Sequence, residues 1–197
     1  MKKIICLSLL LLFIPAILYA QDKVAVPVWN AGDKWTLTGD VTVTVTNADE
    51  SSYAVKYLMP GGGVILIFEK TSLNRLYAAD GDTRKPYEGR NKKMFNFPLE
   101  IGKSWEDKYK EGRTEYTETF TPVGWEEIAV QAGKFKALKI EYKKIKSEAK
   151  EGRKPREGKV WYWYSPDVKY MVKCQYEKAR FWDETFDWEL ASFELKK

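Results

Sequence analysis

Two stretches decide the fold: VGWEEIAVQAGKFKALKIEY, Val123 to Tyr142, and its return partner VWYWYSPDVKYMVKCQY, Val160 to Tyr176. Successive side chains of a β-strand point to opposite faces of its sheet, so alternation of apolar and polar residues marks a strand with one face buried. Leu138, Ile140 and Tyr142 share one parity while Lys139, Glu141 and Lys143 share the other. In the return stretch Val168, Tyr170, Val172, Cys174 and Tyr176 fall together, opposite Lys169, Lys173 and Glu177. Both read as antiparallel strands over a core. Gln131-Ala132-Gly133-Lys134 supplies the first turn, with Gly133 free to adopt a positive φ. Pro166-Asp167 supplies the second, with proline expected at the first central turn position.

The same pattern extends in both directions. Val41 to Thr46 reads VTVTVT, three valines on one face and three threonines on the other. Trp35 to Thr38 precedes it, Tyr53 to Met59 follows, and Pro60-Gly61-Gly62-Gly63 turns into Val64 to Phe68. Met94 to Phe97, Ser104 to Tyr109 and Thr114 to Thr121 are expected as three more strands, whereas Thr71 to Arg90 fits a short strand or a single helical turn equally well. Phe186, Trp188 and Leu190 share a parity that passes to Phe193 and Leu195, which predicts a bulge near Ala191-Ser192. Turn signals recur about every eight to twelve residues. The expected fold is therefore all-β: a curved antiparallel sheet or open β-barrel built from meander-like hairpins in a single domain.

The N-terminus sets the compartment. Met1 to Ala20 carries two lysines, an uncharged apolar run from Ile4 to Leu18, and Leu18-Tyr19-Ala20 before Gln21. That is the pattern of a secretory signal peptide, with cleavage expected after Ala20 and one domain over residues 21–197. The apolar run is short for a membrane span, so the mature protein is expected not to span the membrane and to be periplasmic or secreted. Cys6 lies too early to be the lipid-bearing cysteine of a lipoprotein. Cleavage leaves Cys174 as the sole cysteine, which rules out an intrachain disulfide. It also leaves a net charge of +3, too mild to indicate nucleic acid.

The sequence contains no histidine. Serine-histidine and cysteine-histidine triads are excluded, along with the commonest metal ligand, so no catalytic residue, metal site or cofactor is expected. Glu126-Glu127 and Asp183-Glu184 are adjacent carboxylates, but strand neighbours face opposite ways and do not form an acid/base pair. A hydrolase built from distant carboxylates remains the lower alternative. Pro60 to Gly63 lacks the Gly-Lys-Ser/Thr of a phosphate loop, and an EF-hand counted from Asp80 ends on Asn91 instead of glutamate. Cys174, on the apolar parity, reads as a small inert hydrophobe.

Two clusters can carry binding. Trp161-Tyr162-Trp163-Tyr164 places aromatic surface on both faces of one strand, so one face lies in the core and the other needs a cover or a ligand. The favoured reading is internal cover; the functional one is contact with a lipid, another hydrophobic small molecule, a sugar or a protein. Lys143 to Lys159 holds eight basic residues against three glutamates. Of these, Lys150, Arg153, Lys154 and Arg156 are the candidate contacts for an anionic surface or an envelope protein, and a solvated hairpin tip is the plainer reading.

The order "FPLEIGKSW … VGWEEIAVQAGKFKALKIEY … WYSPDVKYMVK … ELASFEL" resembles the TapB-like family of exported bacterial domains of unknown function, over roughly the C-terminal half. Gln131 stands where that pattern has proline, and Tyr170 where glycine or leucine is common. The resemblance implies an envelope-associated β-domain and brings no catalytic residues. The combined expectation is a non-enzymatic exported protein with a binding or accessory role, in its sharper form a carrier of a hydrophobic ligand. A structural or assembly partner acting by protein contact is the alternative.

Overall fold

A computed structural model describes residues 23–80, 83–86, 93–148, 154–178 and 187–197. Its strands are β1 (Lys34–Leu37), β2 (Val41–Ala48), β3 (Ser52–Met59), β4 (Gly62–Glu69), β5 (Arg75–Asp80), β6 (Thr83–Pro86), β7 (Trp105–Glu111), β8 (Thr114–Val130), β9 (Gly133–Glu148), β10 (Arg156–Ser165), β11 (Tyr170–Lys178) and β12 (Trp188–Glu194). Among the described residues all twelve strands form one antiparallel sheet in the order β6-β5-β4-β3-β2-β1-β12-β11-β10-β9-β8-β7. Two meanders run outward from the middle, where the first and last strands lie side by side. The sheet stays open, with β6 and β7 as its edges.

Packing shows that this sheet is strongly curved. Four strand spacings separate β3 from β11, about 19 Å in a flat sheet. Yet the Tyr57 and Tyr170 hydroxyls are 3.2 Å apart, and two tyrosine side chains cannot bridge the flat distance. Curvature brings Trp29, Trp35, Tyr53, Phe68 and Tyr170 into one aromatic cluster, with Trp35 and Tyr170 stacked at 4.8 Å. The core also takes Val43, Val45 and Val55, each fully buried. Leu138, Ile140 and Tyr142 are buried as their alternation requires, and Val43 and Val45 show the same rule in the VTVTVT strand.

The turns follow their local sequence. Met59 pairs with Gly62 across Pro60-Gly61, and Val130 with Gly133 across Gln131-Ala132. Asp49 closes the β2–β3 turn by accepting the Ser51 and Ser52 amides at 2.9 and 2.6 Å. Hydrogen bonds from Ser52 and Ser51 hold its carboxyl down at about 2. In β12 the register against β1 jumps from Ser192 to Leu190, so Ala191 is the bulge that the parity change predicts.

Three local expectations are corrected. Met94 to Phe97 is not a strand: Phe95 stacks on Phe97, and both meet Tyr164 edge-on across the inner side of the sheet. Its alternation reflects packing of a crossing segment that, among the described residues, pairs through the Val24–Leu99 bridge. Thr114 to Thr121 is not a separate strand either, because β8 continues to Val130 through a bulge at Val123 that absorbs Pro122 and Gly124. The β10–β11 connection is a four-residue loop between Ser165 and Tyr170, closed by the Lys169 amide on the Pro166 carbonyl at 3.2 Å. Pro166 therefore precedes the central turn positions, and Lys169 takes the left-handed φ of 58°. Arg75–Asp80 and Thr83–Pro86 form a hairpin, which decides Thr71 to Arg90 in favour of strand as far as it is described. The 181–186 part of the C-terminal pattern lies outside the described residues.

Within the second meander β12, which pairs with β1 at four positions, meets β11 over a narrow seam: among the described residues the two strands pair at Lys173–Glu189 and Cys174–Trp188. Side chains complete it. The Trp35 indole donates to the Val168 carbonyl at 2.7 Å and the Trp29 indole to the Lys169 carbonyl at 3.0 Å. Asp33, fully buried, accepts the Asn30 amide at 2.9 Å and the Lys196 amide at 2.6 Å. At the end of the β8–β9 hairpin, Ala132 donates its amide to the Leu190 carbonyl at 2.9 Å.

Trp35→Phe keeps a ring but removes the indole donor and leaves a small void. It is expected to destabilise the protein by about 2 to 3 kcal/mol, read as a lower denaturation midpoint by tryptophan fluorescence in urea; an unchanged midpoint would show that the seam does not rest on this bond. Cys174 is 1% exposed, and burial, with the nearby Asp187 charge, pushes its thiol up to about 12. A thiol reagent at pH 8 is expected to leave it unmodified in the native protein and to label it fully in denaturant, whereas native labelling at a free-thiol rate would contradict this packing.

Candidate functional site

Pairing in β10 divides the four consecutive aromatics between the two faces. Tyr162 and Tyr164 lie opposite Ile140 and Leu138 and point into the core. Burial raises both phenol pKa values. Trp161 and Trp163 lie opposite Glu141 and Lys139 on the outer face. The cover on that face is a lattice of charged side chains. The Lys139 ammonium stands 4.7 Å from the Trp161 ring and 5.1 Å from the Trp163 ring, with Lys159 at 4.2 Å from Trp161 and Lys173 at 5.4 Å from Trp163. The indole N–H groups donate to carboxylates, Trp161 to Glu177 at 2.7 Å and Trp163 to Glu126 at 2.8 Å.

Lysines close the lattice around those carboxylates. Lys139 pairs with Glu126 at 2.9 Å, and Lys159 with Glu141 at 3.0 Å and Glu177 at 3.2 Å. The Trp163 and Lys139 hydrogen bonds hold the Glu126 carboxyl below its usual range. For Glu141 burial acts upward, and the bonds from Lys143 and Lys159 outweigh it, so the net shift is downward. Trp163 is thereby reduced to 5% exposure. The sequence places these residues at alternate positions, but only the pairing of β8 to β11 shows that lysines cover the indoles.

The basic residues gather elsewhere. Lys150 and Arg153 lie outside the described residues. Lys154 and Arg156 are exposed, with Arg156 opposite Lys146. Arg156 and Trp161 are five positions apart on β10, about 17 Å along a strand, so the two candidate clusters do not form one site.

A charged site that sequence reading passed over lies on the inner face. Glu118 is fully buried on β8. It accepts the Tyr109 hydroxyl at 3.0 Å and pairs with Lys144 at 3.2 Å, and the Lys144 ammonium also stands 4.7 Å over Tyr116. Burial pushes Tyr109 up to about 12 despite the opposing Lys144 bond, and burial with the Glu118 charge raises Tyr142 as well. Burial alone favours a neutral Lys144, but Tyr109 and Glu118 outweigh it and its pKa rises. The result is a charged pair held in fixed states by its neighbours. A sequence signal was present: Glu118 shares the parity of Phe120 in TETF, and a charge on the apolar parity marks a buried partner.

Space is distributed unevenly. Inside the curve, a cavity of about 40 Å³ lies between Trp29, Tyr57, Phe68, Met94 and Tyr170. This is far below the roughly 300 to 1,000 Å³ of ordinary small-molecule sites, because the 93–99 segment and the N-terminal run fill the interior. At the surface an open groove of about 500 Å³ runs between four parts of the chain. The N-terminal run contributes Lys23 to Pro27, β8 and β9 contribute Trp125 and Lys136, β10 contributes Tyr164, and the β10–β11 loop adds Pro166, Asp167 and Lys169. No sequence pattern marks it, since it exists only where these four segments meet.

The chain matches no family model and no curated protein. Three solved structures are similar to it in backbone arrangement, each matched over 88% of this chain. One is a candidate lipoprotein of Parabacteroides distasonis ATCC 8503, covered over its full length at 14% identity and a TM-score of 0.47. Another is an exported protein with a YmcC-like fold from Bacteroides fragilis NCTC 9343, also covered in full, at 14% identity and a TM-score of 0.44. The third is the hypothetical lipoprotein YmcC of Escherichia coli K12, covered over 90% at 10% identity and a TM-score of 0.42.

Proposed function

We propose that this protein is an exported, non-catalytic component of a bacterial envelope that acts by binding at the open groove beside the β10–β11 loop. The contrast between the 500 Å³ groove and the 40 Å³ interior cavity carries the reading: room for another molecule lies at the surface and not within the curved sheet. Export is supported by the leader pattern of Met1 to Ala20. A binding role fits the carboxylates described above, since Glu126, Glu141 and Glu177 are each engaged by lysines or indoles and Glu118 is sealed with Lys144. A carrier of a hydrophobic ligand, in this geometry, holds it along the groove.

An assembly role through the basic residues has a separate observation behind it, the exposure of Lys154 and Arg156 at the end of the β9–β10 pairing. Both readings are tested by fractionating cells and recording the intact mass of the protein from the envelope fraction under non-denaturing, detergent-free conditions. A chain beginning at Gln21 that carries a small-molecule adduct is the expected result. A bare cleaved chain that co-purifies with a protein, and loses it on Arg156→Glu, moves the function to the basic end. An uncleaved cytosolic chain overturns the proposal.

A further inference from the structure

One buried hydrogen-bond donor at the groove has no acceptor among the described residues. The Trp125 indole N–H is shut off from solvent and bonds nothing. Tyr164, 1% exposed and in ring contact with Phe95 and Phe97, adds aromatic wall beside it. Both side chains line the groove. Buried donors are nearly always paired, and an unpaired one beside an opening identifies what is missing there as an acceptor.

Charge selects the kind of acceptor. Three ammonium groups, Lys23, Lys136 and Lys169, border the groove against one carboxylate, Asp167. Lys23 also pairs with Glu100 at 3.4 Å, and Lys169 stands 3.9 Å from Asp33. Lys136 sits 5.0 Å from the centre of the Trp125 ring, beside the unbonded indole. A neutral hydroxylated ligand needs acceptors as well as donors, and donors dominate this wall. An anion matches it. Val24, Ala25, Pro27 and Pro166 make the remaining wall apolar, a surface for a hydrocarbon chain and not for a bare ion.

We propose that the groove binds a single-chain anionic amphiphile, its carboxylate taken beside Lys136 and the Trp125 indole N–H and its chain laid along Val24, Ala25, Pro27 and Pro166. This rests on the reading that the groove is the contact surface, and it names the ligand class. Lys136 supplies the charge that separates a fatty carboxylate from an uncharged lipid of equal length.

The test is calorimetric titration of dodecanoate, below its micelle concentration, into protein purified from the envelope and stripped of lipid on a hydrophobic resin. Saturable one-to-one binding in about the micromolar range is expected. Lys136→Glu, at an exposed position that leaves folding intact, and Trp125→Phe are each expected to weaken it by about tenfold or more. Salt at about 0.5 M weakens it further, and neither acetate nor dodecyl maltoside binds. Absence of dodecanoate binding, Lys136→Glu binding as the unmodified protein does, or equal binding of dodecyl maltoside each overturns the proposal. An envelope-located protein that carries another adduct and rejects dodecanoate defeats this inference alone. A cytosolic protein that binds dodecanoate defeats the export reading and leaves the site standing.

Discussion

The structure depends on how β12, which pairs with β1, is joined to β11. On either side of that joint the ladders are longer, while between β11 and β12 the described residues pair at two positions. Two indole N–H groups from the beginning of the described chain, reaching carbonyls of the β10–β11 loop, supply what the ladder lacks. Such bonds contribute about 1 kcal/mol each in net terms, yet leaving a buried carbonyl or indole unbonded costs more. Asp33 adds the third tie, binding the backbone of Asn30 and of Lys196, far apart in the chain. The consequence reaches the surface. Val168 and Lys169, which accept the indoles, belong to the loop whose Pro166, Asp167 and Lys169 form one wall of the groove. Loss of the seam therefore displaces the site along with the fold.

On the outer face the problem is different, because among the described residues two tryptophans there are covered by single side chains and not by a second layer of strands. Lysine stems and ammonium groups cover the rings while glutamates take the indole protons. Long charged side chains can bury apolar surface along their stems and keep their heads in water. Individual exposed ion pairs stabilise little; here their effect is geometric, holding lysines over the rings so that little indole remains exposed. Charge on this face thus serves solubility and packing together, and blunts a flat aromatic strand that would otherwise invite sheet-to-sheet association.

The inner face uses charge in the opposite way. Glu118 is withdrawn from water altogether and is tolerable only because Lys144 and Tyr109 meet it. Curvature forces this economy of space: once the 93–99 segment and the N-terminal run cross the concave side, aromatic rings fill what an open barrel would leave hollow. That is why the room for a partner appears outside, where segments from four parts of the chain converge.

Sequence alone determined the strands whose two faces differ. The alternation of Leu138, Ile140 and Tyr142 with lysine and glutamate, the VTVTVT run, and the parity change at Ala191 are statements about adjacent residues, and adjacent residues obey a period of two wherever the strand lies. The same logic failed at Met94 to Phe97, where alternation arises from a crossing segment packing on Tyr164 and not from a ladder. It also stopped short at Trp161 to Tyr164: the period assigned two faces, but not what covers the second. Which strands neighbour one another, the meeting of Tyr57 with Tyr170, the burial of Glu118 and the groove around Trp125 were decided only by the tertiary structure. Each depends on the curvature of the sheet and on contacts between residues far apart in the chain, and no local pattern of side chains encodes those distances.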